Sequence, residues 1–342
     1  MNDNTEITQW IKEELFKINK AIKEHEDELS YYDLSETKSG KLWNFLNQDR
    51  NNFEITYPSF TEGMDFTTYG PLLSTAWGQG DPYNQQTPKW CNGASTYTGC
   101  VATAAAQIMK YWNYPQSGQN STSYQWWNGC TWVTLSRDFS QSTYDWANML
   151  NSYSSGSTQV QKDAVAKLMS DVGIAWHMDY GVDGSGADTM YGLTVYPTYF
   201  KYKNTIQAVY RINYSSDSAW MQVFRDEVQA GRPCHMRIRD PNAGGHSVVV
   251  DGYRDSPSEQ IHINMGWEGY YDGWYASNHI VTGSYSWSDV NYQAALIGIE
   301  PEGLTPGKAT LVSPSGTIDD NTPTYTWNEV DCATEYYLWV NG

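Results

Sequence analysis

The chain has 342 residues, 40% of them hydrophobic, and a formal net charge of −18. That length accommodates one large domain with flanks or two domains, and the apolar share supports a sizeable core. The acidic balance, with no Lys/Arg cluster to collect phosphates, argues against nucleic acid or an anionic membrane as partner, and no run of 18 apolar residues is present to span a bilayer.

Residues 5–29 read as an amphipathic helix, with Ile7, Ile11, Leu15, Ile18, Ile22 and Leu29 at helical spacing and Thr5 as its cap. The opening MNDNTEITQW is polar and acidic, unlike a secretory signal. It points to a cytoplasmic protein or to a signal upstream of this sequence. A polar stretch with one short candidate helix around KLWNFL continues to about residue 65, so 1–65 reads as a flank. Residues 66–302 have a globular texture. One helix begins near Cys100 in TYTGCVATAAAQIMKYW. A second covers 158–172, with Val160, Ala164, Leu168 and Val172 in register and Gly173 at its end. A third covers 217–230, with Asp217 as cap and Gly231 and Pro233 as stops. The period then changes to alternation, and PCHMRIR, HSVVVDGY, QIHIN and ALIGIE read as strands. Helices first and strands afterwards indicate an α+β architecture. Residues 303–342 are rich in Pro, Thr and Gly, with alternating TYTW and YYLWV. This is β-sandwich texture that stops after two or three strands, so the segment is either cut short or packed on the main domain.

The cysteines stand at 91, 100, 130, 234 and 332, an odd count without zinc-finger spacing. Cys91 and Cys130 flank the first globular helix and would pair in an exported protein. Cys100 at the head of that helix has two readings. A free cysteine often packs as a small hydrophobe, but unpaired N–H groups and the helix dipole also favour a nucleophilic thiolate there. A thiolate needs a base. His246 follows Gly244 and Gly245, which leave room for a cleft wall, and comes 146 residues after Cys100, inside the roughly 130–150 separation of papain-like enzymes. His262, two residues before Asn264, is its rival; His25, His177, His235 and His279 read as structural. A metal held by His246, Asp251 and His262 lacks an obvious further ligand, so no metal or other cofactor is expected. Pairing of HSVVVDGY with QIHIN would bring Asn264 to the imidazole in a Cys–His–Asn arrangement, with Trp267 covering that contact. Gln79, between two glycines in AWGQGDPYN, would join the Cys100 N–H in an oxyanion hole.

The stretches WGQGDPYN, TGCVATAAAQIMKYWNYP, DVGIAWHMDYG, GGHSVVVDG, HINMGWEGYYDGWY and YQAALIGIEP occur in that order over about residues 70–301. Together they resemble the streptopain family of papain-like cysteine peptidases. The resemblance implies a papain-like α+β fold, a helical half plus an antiparallel sheet half, in a secreted bacterial endopeptidase made as a zymogen. It implies Cys100 as nucleophile, His246 as base, Gln79 in the oxyanion hole and Asn264 near the histidine. It also makes residues 178–186, with Met178, Tyr180 and Gly181, a wall of the substrate cleft. The segment 1–65 then resembles the tail of a propeptide, and 303–342 the start of an Ig-like or fibronectin-like module. The expected partners are protein or peptide substrates, and a monomer is expected, its signal peptide absent from this chain. Met265 follows Asn264 where the best-known member of the family has Trp, and four cysteines accompany the catalytic one. Two other readings compete. One is an adhesive or glycan-binding module, from the 27 Tyr and 16 Trp and the sandwich-like tail. The other is a different thiol acyl-transferase, such as an amidase or transglutaminase, on the same fold.

Overall fold

The structure is a computed structural model that describes residues 67–256, 258–303, 311–313 and 324–327. After the short strand β1 (Thr68–Tyr69) comes helix α1 (Cys100–Trp112), in which every residue from Val101 to Met109 is buried. Its alanines let neighbours close in on all sides. Its start depends on Gly99, whose φ is +86°. A Cβ at Gly99 would lie 2.7 Å from Met178 Sδ and 3.0 Å from the Ser185 carbonyl oxygen.

An antiparallel hairpin of β2 (Ser121–Trp127) and β3 (Trp132–Asp138) follows. Cys91 and Cys130 form a disulfide, Cα–Cα 6.0 Å, that ties the loop before α1 to the tip of this hairpin. Helix α2 (Gln159–Ala175) opens on a Thr158–Gln161 capping box. It runs through Gly173 rather than stopping there. A Cβ at Gly173 would lie 2.2 Å from Tyr180 Oη, so this glycine serves close packing and not termination. Helix α3 (Gly192–Phe200) contains Pro197, and β4 (Gln207–Tyr210) follows it. Helix α4 (Asp217–Gln229) is capped by Ser216, whose hydroxyl accepts from Ala219 N. Asp217, expected as the cap, occupies the first turn and pairs with Arg211 at 2.7 Å.

The remaining strands are β5 (Cys234–Asp240), β6 (Gly244–Arg254), β7 (Gln260–Asn264), β8 (Gly273–Tyr275), β9 (Val281–Thr282), β10 (Tyr285–Ser286) and β11 (Ala294–Ile297). The main sheet is antiparallel, in the order β4-β11-β5-β6-β7-β8, with β1 also paired to β6; β9 and β10 pair separately. Strand β6 is buried from His246 to Tyr253 because it packs against both α1 and α4. One core gathers α1, α2 and α3 around Trp77, Trp176 and Tyr196. The other lies between the sheet and α4, around Trp220, Phe224, Ile238 and Ile263. The result is a helical half and a sheet half joined along α1 and β6.

In the tail, β12 (Leu311–Ser313) and β13 (Thr326–Trp327) pair antiparallel. The rest of the expected C-terminal module lies outside the described residues, as do the helix expected over 5–29, the one around KLWNFL, and Cys332. Among the described residues no helix is long and apolar enough to cross a membrane.

His235 on β5 is fully buried between Tyr196 Oη (3.2 Å from Nδ1) and Ser247 Oγ (2.8 Å from Nε2), and burial lowers its pKa from 6.5 to about 3. The unfolded chain therefore takes up a proton here before the folded chain does. The stability tied to this residue is complete above pH 6.5 and is lost as pH falls toward about 3. Urea unfolding at about pH 7 and about pH 5 should show a larger loss for wild type than for His235→Gln; equal losses would contradict a neutral buried His235. Replacing Cys91 and Cys130 together by Ser frees a cross-link over a separation of 39 residues. The unfolding free energy should fall by about 2–4 kcal/mol, and an unchanged denaturation midpoint would count against the bond.

Candidate active site

Helix α1 and strand β6 bring Cys100 and His246 to the wall of one cavity of about 370 Å³. Val101, Ser185 to Thr189, Arg237, Gly245, Ser247 and Tyr292 complete its lining. Cys100 is half-buried and His246 is 7% exposed. Burial pushes the Cys100 thiol pKa up, while the backbone N–H groups of Ser247, Val101 and Cys100 itself oppose that shift. The strand that carries the histidine thus also supplies, from its next residue, an amide to the sulfur.

The His246 ring is held by its Nε2, 2.8 Å from the Met265 carbonyl oxygen. A carbonyl only accepts, so Nε2 carries the hydrogen and Nδ1 is the basic nitrogen. The ring stacks on Trp267 at 4.6 Å and on Trp287 at 5.3 Å between centroids. Burial lowers the His246 pKa to about 4, against the opposing pull of the Met265 carbonyl. Burial therefore disfavours either charge alone, and thiolate and imidazolium stabilise each other only if they form together.

Asn264 is placed differently from the expectation. Its Nδ2 donates to the Thr75 carbonyl (2.8 Å), and its Oδ1 accepts from Gln107 Nε2 (2.9 Å) and Gly266 N (3.0 Å). The hydrogen bond expected from Asn264 to the imidazole is replaced by the Met265 carbonyl. Because Met265 acts through its main chain, this contact does not depend on its side chain. Trp267 lies on the His246 ring itself. The Met265 N–H donates to Asp272 Oδ1 at 2.7 Å, and burial pushes that carboxyl up to about 6.

Gln79 lines a second, open depression of about 330 Å³, beside Tyr97, Asp183, Trp267 and Glu268. Its carbonyl accepts from Thr98 N at 3.1 Å, which ties its segment to the chain two residues before Cys100. The cleft wall expected at Met178, Tyr180 and Gly181 shifts along the chain. Met178 is buried beneath Gly99, and Tyr180 is buried against Gly173 and Trp126. Gly181 bridges Tyr97 N and Ser185 Oγ through its main chain. Ser185 to Thr189 form the cavity wall in their place. Gly245 lines the cavity, while Gly244, with φ +104°, serves the turn into β6.

The rival His262 lies elsewhere. Its Nδ1 is 2.6 Å from Asp251 Oδ1 at a register shift between β6 and β7, and its ring packs on Trp274. His177 meets Thr122 Oγ1 and Tyr124, His279 sits in an exposed turn, and His25 lies outside the described residues. Trp287, Tyr292, Arg237 and Gln107 also belong to the site or its support. Only Gln107 carried a signal, as an amide in the apolar run AAAQIM two helical turns from Cys100.

The family model for peptidase C10 matches residues 77–275. Streptopain of Streptococcus pyogenes is 32% identical over 243 residues, 66% of this chain and 60% of that protein. The thiol protease/hemagglutinin PrtT of Porphyromonas gingivalis is 31% identical over 248 residues, 69% of this chain and 28% of that protein. The chain thus spans about 60% of the length of the one and 28% of the other. The solved structure of active wild-type Prevotella intermedia interpain A cysteine protease matches with a TM-score of 0.62 and 35% identity, covering 68% of this chain and 95% of that one. A prointerpain A fragment from the same organism matches with a TM-score of 0.59 and 35% identity, covering 69% and 73%. The helical and antiparallel-sheet halves described above are accordingly a papain-like α+β fold. The matched span runs from Trp77, where the Gln79 segment begins, through Cys100 and His246 to the end of β8, and the chain belongs to the peptidase C10 family.

Proposed function

We propose that the chain is a cysteine endopeptidase that cleaves protein or peptide substrates through an acyl-enzyme thioester. One observation carries this reading: Cys100, at the start of a buried helix, shares an open cavity with a histidine whose Nε2 is committed to a carbonyl. Nδ1 is then the nitrogen available to take the thiol proton. The thiolate attacks the scissile carbonyl carbon and its electron pair moves onto oxygen. The Cys100 N–H and the Gln79 side chain stabilise that oxyanion. As the tetrahedral species collapses, the imidazolium returns its proton to the leaving amine and a thioester remains. His246 next deprotonates water, which attacks the thioester, and the carboxylic acid and thiol are released.

Export from a bacterial cell belongs to the same reading. The Cys91–Cys130 disulfide suits an oxidising compartment, and the acidic chain suits an extracellular milieu. Residues 1–65 are read as propeptide sequence and 303–342 as part of a β module that trails the peptidase domain.

Casein hydrolysis, blocked by a thiol-directed epoxide inhibitor that labels Cys100, tests the reading. Cys100→Ala should fold and lose all hydrolysis, and His246→Ala should lose nearly as much. Gln79→Ala should keep a labelled thiol and lose on the order of 10²–10³ in turnover. Full activity in Cys100→Ala would refute the mechanism, and release of amine without chain cleavage would favour an amidase or transglutaminase. Incubating wild type beside Cys100→Ala should shorten only the wild-type N-terminus. Identical N-termini after long incubation would count against self-processing.

A further inference from the structure

Gln107 lies on α1 seven residues after Cys100, close to the same azimuth and about 10 Å further along the helix. It is fully buried, and its amide is used at both ends. Oε1 accepts from Trp77 N at 3.2 Å, and Nε2 donates to Asn264 Oδ1 at 2.9 Å. Main-chain groups fix these orientations. A backbone N–H can only donate, so Trp77 selects the oxygen of Gln107, and Gly266 N–H likewise selects the oxygen of Asn264. The Gly266 N–H belongs to the same peptide unit as the Met265 carbonyl that receives His246 Nε2. A continuous chain of hydrogen bonds thus runs from the nucleophile helix through Gln107 and Asn264 to the peptide that holds the base. Packing reinforces it, because a Cβ at Gly266, where φ is +68°, would lie 3.1 Å from Thr103 Cγ2, one turn before Gln107.

We infer that Gln107 is a positioning residue: its amide fixes Asn264, and through it the Met265–Gly266 peptide, so that Cys100 and His246 are aligned by one helix. This rests on the Cys–His peptidase reading. An N–H bound to Asn264 makes the Met265 carbonyl a better acceptor and holds it in place. A better acceptor stabilises the imidazolium against the cost of burial. Gln107 also anchors the Trp77 amide, at the root of the Gln79 segment. The titratable and charged groups around His246 are Cys100, Arg237, Asp188 and Tyr292 on the cavity wall and Asp272 behind Met265. A substitution at Gln107 replaces none of them.

Gln107→Met, close in shape but without donor or acceptor, tests the assignment on a fluorogenic peptide. We expect kcat to fall about tenfold or more with KM little changed. The alkaline limb of the kcat/KM profile should move to lower pH, because the imidazolium loses its proton more readily. A merely structural role would reduce amplitude without moving the limb. Gln107→Glu, protonated where buried, restores a donor at acid pH and should recover the wild-type profile there while failing earlier on the alkaline side. If Gln107→Met yields no folded protein, Gln107→Glu decides, and an unaltered profile overturns the proposal. Epoxide labelling of wild type is the control. An unreactive wild-type thiol would sink the peptidase reading, whereas a reactive one with an unshifted Gln107→Met profile sinks only the role of Gln107.

Discussion

The hydrogen bond from His246 Nε2 to the Met265 carbonyl is the constraint on which the rest of the site depends. It sets the tautomer, fixes the plane of the ring and leaves Nδ1 as the basic nitrogen. It also opposes the loss of basicity caused by burial. The elements around it serve this contact. Strand β7 delivers Asn264 and Met265, Asp272 and Asn264 hold the main chain on either side of Met265, and Trp267 and Trp287 pack on the imidazole.

The two halves of the fold make opposite demands on the pair. The helical half needs α1 enclosed, and its alanines and Gly99 allow that, which leaves Cys100 half-buried at the helix start. The sheet half needs β6 buried on both faces, which takes His246 out of water as well. Burial therefore penalises each charge, while a helix N-terminus and the Ser247 amide favour the thiolate. The fold resolves this by placing both groups on one cavity, where the charges are least costly as a pair.

Much of this was legible in the residues, and the misses have physical causes. An alanine-rich run after Gly-Cys identifies a buried helix and its start, and alternation identifies β5 to β7 within a residue or two at most ends. Alternation shows which face Asn264 takes, but it cannot show that main-chain groups of Thr75 and Gly266 capture its amide before the imidazole does. The wall expected at Met178 and Tyr180 fell inside the core because Gly99 and Gly173, having no Cβ, let those side chains close in, and the exposed end of the same loop lines the cavity instead. Gly173 reads as a helix stop from sequence, although its reason is a tyrosine hydroxyl contributed from beyond the helix end. Trp287 lies in SYSWSD, an alternating run too short to stand out from the sequence, and reaches His246 only through the tertiary fold.

Whether a Cys100 thiolate pairs with a His246 imidazolium is tested by the alkylation rate of Cys100 from about pH 4 to about pH 9. Such a pair predicts a wild-type thiol that reacts well below the free-thiol pKa of about 8.5. It also predicts that His246→Ala abolishes that acidic limb, leaving one step at or above the free-thiol value, since burial alone raises the pKa of this thiol. A single wild-type step near about 8.5, unchanged by His246→Ala, would show that no ion pair exists and would contradict the account.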